Sequence, residues 1–341
     1  MTLASPLPVA VVGLGAIGVE HAEIYQASPL AELAAVVEPR AQVRMEVAAR
    51  LGCQGFETVA QLLESDVAAV SLCTPDHLHY EDARTIVAAG RHLLVEKPIS
   101  TDPVQADELT RLAESADVVV MPGQTLRFEP RYARAREVVA AGRVGQIQHG
   151  YLRRDNKLSV AHRAAGRTSV AYFLGIHDID ALQWITNQRV VQVQALASTA
   201  TEATGAQALA VVANLRLSGG AVVQLESAWN LPENYPTDLD AALRLVGSSG
   251  VVSVHSFDAG MAVTDAQFYL PMPAGAPLYG ATQGALALEL ESFLRAVQGD
   301  IALPVTVREA AAAVKVVAAL HQGLQTGGTV EVEPVVPAEV R

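Results

Sequence analysis

Lys97 follows the apolar run His92–Val95 and precedes Pro98. A strand ending there puts an ammonium on the carboxyl edge of a sheet, the edge where open α/β folds bind ligands. Such an ammonium donates to a substrate oxygen, and burial lowers its pKa toward the range useful for a proton relay. His177 is a second acid–base group, near the start of an expected helix Ile176–Thr186. An imidazole, with an ordinary pKa of roughly 6.5, suits general-base work on a hydroxyl. Asp180 lies three positions on and shares its helical face. It either orients the imidazole or serves as a structural hydrogen-bonding residue.

A third constellation suits an anion. Gly13-Leu14-Gly15-Ala16-Ile17-Gly18 follows the apolar run Val9–Val12 and opens a helical pattern. The first glycine permits a tight turn, the second lets backbone approach a pyrophosphate, and the third allows helix and strand to pack closely. Glu38 comes 20 residues after Gly18, where a carboxylate accepts both ribose hydroxyls of an adenosine and repels a 2′-phosphate. Arg40, two residues further, can swing toward such a phosphate. NAD is therefore favoured, with NADP left open.

These groups need elements to hold them. Apolar runs at Pro8–Val12, Glu32–Val37, Val67–Leu72, His92–Val95 and Val118–Met121 read as strands. Helical candidates lie between and beyond them, at Ile17–Ala27, Ala41–Leu51, Val59–Glu64, Leu78–Ala89 and Val104–Glu114. That alternation predicts βαβ units around a parallel, doubly wound sheet over residues 1–125. Thr58 and Asp102 stand at helix starts, Gly52 and Gly90 at helix stops. After a helix Arg131–Ala141 come longer strands at Gln146–Arg154, Val190–Thr199, Gln207–Leu217, Ala221–Trp229, Ala241–Val246 and Val251–His255. With Ile176–Thr186 among them and Ala285–Gln298 and Arg308–Leu324 closing the chain, residues 126–341 read as an α+β domain with an open, mainly antiparallel sheet.

The bulk numbers narrow the function. A net charge of −12 leaves little to neutralise a phosphate backbone, so no nucleic-acid partner is expected. No stretch of about 18 apolar residues suggests a membrane span. Residues 1–8 lack a basic leader, and two cysteines, Cys53 and Cys73, are too few for a disulfide scaffold; the cytoplasm is the expected compartment. Cys73, at the end of a buried strand, reads as packing rather than as a nucleophile. Asp76, His77 and His79 crowd together too tightly for a common metal site, and no metal is expected.

Four motifs in register carry a resemblance. They are the glycine turn, Thr74-Pro75-Asp76-His77-Leu78-His79, Glu96-Lys97-Pro98, and Gly175-Ile176-His177-Asp178-Ile179-Asp180. Gln124-Thr-Leu-Arg127-Phe128, then Pro130 and Gly142-Arg-Val-Gly145, extend it. In this order they resemble the glucose-fructose oxidoreductase/inositol dehydrogenase/rhizopine catabolism (Gfo/Idh/MocA) family, from the first strand to about Gly328.

The resemblance implies a Rossmann domain, then a substrate-binding and oligomerisation domain, with the site in the crevice between them. It further implies an NAD(P)-dependent dehydrogenase acting on a sugar, sugar derivative or cyclitol, and a homodimer or homotetramer built through the open sheet face. Cofactor contacts then fall at Gly13, Gly15, Ala16, Ile17, Glu38, Arg40, Cys73, Thr74, Pro75, His79, Glu96, Lys97 and Gln124. Lys97 and His177 are the catalytic pair, and Pro98 is expected to follow a cis bond. Substrate contacts fall at Lys97, Arg127, Asp155, Asn156, Tyr172, His177, Tyr235 and Tyr279, with a salt-bridged linker role the alternative for Arg127. One position departs: members that oxidise inositols carry an aspartate four residues before the histidine, and Phe173 stands there. The pair then works alone, or Asp178 or Tyr172 supplies the missing group, or the substrate is less hydroxylated. A non-catalytic dinucleotide- or sugar-binding regulator is the alternative function, and an oxidoreductase that never releases its nucleotide a third reading.

Overall fold

A computed structural model describes residues 5–164, 166–198, 208–256, 263–264, 268–269 and 282–336. The chain forms two units, Met1–Gln124 with Gly275–Ala311 and Val336–Arg341, and Thr125–Ala274 with Ala312–Val335.

The first unit is built on six parallel strands, β1 (Leu7–Val12), β2 (Ala31–Val37), β3 (Gln54–Phe56), β4 (Ala69–Leu72), β5 (His92–Glu96) and β6 (Val120–Gly123). Their order is β3-β2-β1-β4-β5-β6. Strand order reverses between β1 and β4, and that switch point is where such sheets open a crevice at their carboxyl ends. Helices α1 (Ala16–Ala27), α2 (Ala41–Leu51), α3 (Val59–Leu63), α4 (His79–Ala88) and α5 (Pro103–Ser115) connect the strands. Local chemistry sets their ends. Thr58 and Gln61 form a reciprocal capping box on α3, and the Asp102 side chain accepts from Val104 N on α5. Leu72, Leu93, Leu94 and Ile86 are wholly buried, each contributing about 2 kcal/mol of transfer free energy. The three-residue edge strand β3 has no apolar alternation, which is why the sequence pattern does not disclose it.

The second unit opens with α6 (Pro130–Ala140), then β7 (Ile147–Lys157), α7 (Leu158–Ala164) and α8 (Ile176–Thr186), which a π-helical turn at Ala171–Gly175 leads into. Strands β8 (Val190–Ala197), β9 (Ala210–Leu217), β10 (Val222–Leu231), β11 (Leu239–Gly247) and β12 (Val251–His255) follow, with short pieces β13 (Val263–Thr264) and β14 (Phe268–Tyr269). Helix α9 (Ala285–Val297) belongs to the first unit, α10 (Val307–Thr326) passes from one unit to the other, and β15 (Thr329–Glu331) returns to the second sheet. The sheet order is β12-β11-β7-β10-β9-β8-β15, antiparallel except where β7 meets β10. Alternation along β7 sends Leu152 and Arg154 toward α8 and Tyr151, Arg153 and Asp155 to the opposite face. A single crossing between domains at residue 125 is thus too simple, because α9 goes back to the first unit.

Candidate functional site

In the first unit the candidate residues cluster by strand end. Gly13 follows β1, Glu38 follows β2, Cys73 follows β4, Lys97 follows β5 and Gln124 follows β6. The glycine turn is sterically enforced. Gly13 has φ +89°, and a Cβ there would lie 2.8 Å from the Cys73 carbonyl. A Cβ on Gly18 would lie 1.9 Å from Gly13 O, so α1 approaches β1 as closely as a backbone can. Gly15 meets nothing within 4 Å, and Gly15, Ala16 and Ile17 are exposed. The outer side of the turn therefore has the room and the helix N-terminus that a pyrophosphate requires, and the residues present fit a dinucleotide.

Glu38 is almost fully buried, and its carboxylate is heavily engaged. Oε2 accepts from Leu14 N at 3.0 Å and Oε1 from Arg40 Nε at 2.8 Å, with Arg40 N and Nη2 adding further bonds. The Arg40 bonds, above all, outweigh burial and pull the carboxyl down to about 2. Arg40 thus folds back onto Glu38 while keeping a side chain that is 62% exposed.

Cys73 is buried, and burial pushes its thiol well above the ordinary range; it packs, as its place at a strand end suggests. His79 is buried, with Nδ1 2.7 Å from Pro98 O and Nε2 2.6 Å from Thr74 O. Its two nitrogens tie the loop after β4 to the loop after β5, so its imidazole braces these loops. Thr74 Oγ1 donates to Asp82. Lys97 is half-buried, its amide donates to Glu96 Oε2 at 3.2 Å, and the Lys97–Pro98 bond is cis. Gln124 is buried directly after β6.

In the second unit two buried forks surround His177. Arg127 donates from Nε and Nη2 to Asp180 at 2.9 and 2.7 Å, and Arg154 donates likewise to Asp178 at 2.7 and 3.1 Å. All four side chains are at most 5% exposed. Arg127 takes the salt-bridged linker role, its fork matching the Asp180 carboxylate. Asp178 does not replace the missing aspartate, because it is fully buried against Arg154. Tyr172 is also buried, its ring 5.1 Å from that of His321. Half-buried His177 sits between the two aspartates on α8, one turn from Phe173, whose ring lies 5.8 Å from Trp229.

Asp155 and Tyr235 come together, but on the sheet face opposite α8. Tyr235 donates to Asp240 Oδ2 at 2.9 Å, Arg153 donates to Asp240 Oδ1 at 2.7 Å, and Asp155 pairs with Asp240 across β7 and β11. Burial first, then the fields of Glu226 and Asp240, push the Asp155 carboxyl up to about 7. Asp155 is therefore placed away from the α8 face, whereas Asn156 has the parity of Arg154. Tyr279 lies outside the described residues. Among the described residues no group of three His, Cys, Asp or Glu side chains has the geometry to hold a metal ion, and no helix is long and apolar enough to cross a membrane.

Sequence reasoning missed His21, Ser71, Tyr25 and Glu289, all buried polar groups of the first unit. Only His21 left a trace, as a lone polar residue among the apolar positions of α1.

Residues 7–124 match the model of an oxidoreductase family with an NAD-binding Rossmann fold, and residues 132–253 match that of the GFO/IDH/MocA C-terminal domain. The chain is 25% identical over 311 residues to the rhizopine catabolism protein MocA of Rhizobium meliloti, covering 89% of this chain and 91% of that protein. It is 33% identical over 186 residues to the UDP-N-acetylglucosamine 3-dehydrogenase of Acidithiobacillus ferrooxidans, 54% of this chain and 56% of that enzyme. A solved scyllo-inositol dehydrogenase of Lactobacillus casei, with bound NAD(H) and scyllo-inositol, shares the fold at a TM-score of 0.83 and 19% identity, over 96% of this chain and 99% of that one.

Proposed function

We propose, since the chain belongs to the Gfo/Idh/MocA oxidoreductase family, that it is an NAD-dependent dehydrogenase acting on a hydroxyl-bearing carbon of a sugar, sugar derivative or cyclitol. The observation that carries the reading is the convergence of Gly13, Glu38, Cys73, Lys97 and Gln124 on the carboxyl ends of five strands about one switch point. Relatives named as a nucleotide-sugar dehydrogenase and as an inositol 2-dehydrogenase support the substrate class.

Gly13, Gly15 and the first turn of α1 would hold the pyrophosphate, and Glu38 the adenosine ribose. NAD, when bound, supplies the hydride acceptor. Lys97 donates from Nζ to the substrate oxygen and stabilises negative charge developing there. His177 takes the hydroxyl proton at a ring nitrogen as the carbonyl forms, and returns it in the reductive direction. With Asp178 and Asp180 committed to arginines, this pair works without a third carboxylate. Half-buried Phe173, packed on the buried Trp229, offers an apolar surface one turn from His177, which favours a substrate with a less hydroxylated face.

The sheet face opposite α8 exposes Leu196 at 76% and Val212 at 39%, apolar area that a homodimer or homotetramer would cover. The two free thiols suit the cytoplasm. A panel of polyols, sugars and nucleotide sugars, read by nicotinamide absorbance with NAD and NADP, tests the activity. Lys97→Ala and His177→Ala should each lower kcat about a hundredfold or more while NAD affinity holds within about threefold. Binding of NAD with no turnover across the panel would favour a regulator instead.

A further inference from the structure

Behind Lys97 the first unit buries a line of polar groups that the proposed chemistry does not use. His21 is wholly buried on α1, with Nδ1 2.9 Å from Ser71 Oγ and 3.4 Å from Cys73 Sγ. Ser71 Oγ in turn lies 3.2 Å from Tyr25 OH. On the other side of the ring, His21 Nε2 faces Glu96 Oε1 at 3.4 Å, and among the described residues neither atom has a hydrogen-bond partner. The second oxygen of Glu96 accepts the Lys97 amide.

The tautomer follows from the surroundings. A bare Nε2 lone pair would face a carboxylate oxygen, so the ring hydrogen belongs on Nε2. The two hydrogen bonds then run one way, from Tyr25 O–H to Ser71 and from Ser71 O–H to His21 Nδ1, and they leave Nε2–H facing Glu96 at 3.4 Å. Serine, histidine and glutamate in this order have the makings of a hydrolytic triad, but Ser71 is 1% exposed and no substrate reaches it. The line therefore acts on Glu96. Burial works against the charged carboxylate, yet the His21 contact and the fields of His21, Lys97 and His79 hold it below its ordinary value. The other ionisable groups facing the line are Glu20 beside His21, and Glu289 of α9 beside Tyr25 and Cys73. A buried carboxylate this costly is poor evidence of a stabilising role and suits a positioning one.

We propose that His21 is a positioning residue, whose Nε2–H keeps Glu96 an anion beside Lys97 and thereby sets the proton affinity and placement of the Lys97 ammonium. The proposal rests on the catalytic reading of Lys97 only for its kinetic arm. The chain has three lysines, so competitive acetylation of the protein without nucleotide, read by mass spectrometry, reports Lys97 against Lys157 and Lys315 as internal references.

Two variants separate the roles. His21→Asn keeps an amide for Ser71 but is too short to reach Glu96, whereas His21→Gln carries an N–H to the Nε2 position. In His21→Asn, Glu96 gains a proton more readily and its field on Lys97 weakens. Lys97 acetylation at pH 8 should rise about five- to tenfold relative to Lys157, and His21→Gln should stay within about twofold of the parent. Turnover should fall about tenfold in His21→Asn with the NAD KM nearly unchanged, recover in His21→Gln, and lose activity on the alkaline side at lower pH. If His21→Asn does not fold, Glu96→Gln must raise the Lys97 acetylation ratio and His21→Gln must not. Equal Lys97 acetylation in the parent and the folded variants overturns the proposal. Full turnover in Lys97→Ala would instead sink the catalytic reading and leave the acetylation comparison standing.

Discussion

Replacing Asp155 by asparagine should stabilise the second unit at pH 8 and leave it nearly unchanged at pH 4. The carboxyl is 6% exposed, its Oδ1 has no hydrogen-bond partner among the described residues, and Arg153 donates to Asp240. Its pKa rises from 3.8 to about 7, a gap of about three pH units or about 4 kcal/mol at 1.36 kcal/mol per unit. Solvent reaching the sheet face screens part of this, leaving about 2 kcal/mol. The sign follows from linkage. An acid whose pKa is raised by folding is held protonated in the native state, so the unfolded chain gives up its proton first. Stability therefore falls as pH climbs from about 4 to about 7, and stays level above. Asparagine never ionises and escapes that loss. Both tryptophans, Trp184 and Trp229, lie in the second unit, so urea unfolding followed by tryptophan fluorescence reports that unit. The informative quantity is the difference between variant and parent at the two pH values. A gain that is the same at pH 4 and pH 8, or a loss confined to pH 8, would refute the account of a carboxyl held protonated by burial and by Glu226 and Asp240.

Asp180→Asn should be far more damaging, costing about 3–5 kcal/mol, because it leaves the buried Arg127 guanidinium without its counter-charge; the same fluorescence measurement checks it, and a cost under about 1 kcal/mol would mean the fork is solvated. Glu38→Gln should raise the NAD KM about tenfold and move preference toward NADP, because it releases Arg40; an unchanged NAD/NADP ratio would remove Glu38 from ribose recognition. With its carboxyl near 2, NAD binding should show no Glu38 titration between about pH 5 and 9, which fluorescence titration at several pH values measures.

What the sequence settled by itself was local. The glycine turn after β1, the Thr58 and Asp102 caps, the apolar runs of the parallel sheet and the alternating strands of the second unit are all written in residues a few positions apart. Periodicity and capping chemistry decide such features before any distant contact forms. The strand-end placement of Lys97 and Glu38 follows from the same short-range pattern. Edge strands β3 and β15, three residues each, carry too little pattern to be seen, and the seven-residue α7 likewise went unread.

Partner choice belonged to the tertiary structure alone. Arg127 finds Asp180 across 53 residues, His21 finds Ser71 across 50, and Asp155 meets Asp240 only through the register of β7 on β11. Asp155 and Asn156 are adjacent in the chain yet fall on opposite faces of one sheet, so nothing but the pleat assigns one to the carboxylate cluster and the other to the helix face. A charged side chain carries the same letter whether it meets substrate or a buried counter-ion, and only the packing of strands and helices around it tells the two apart.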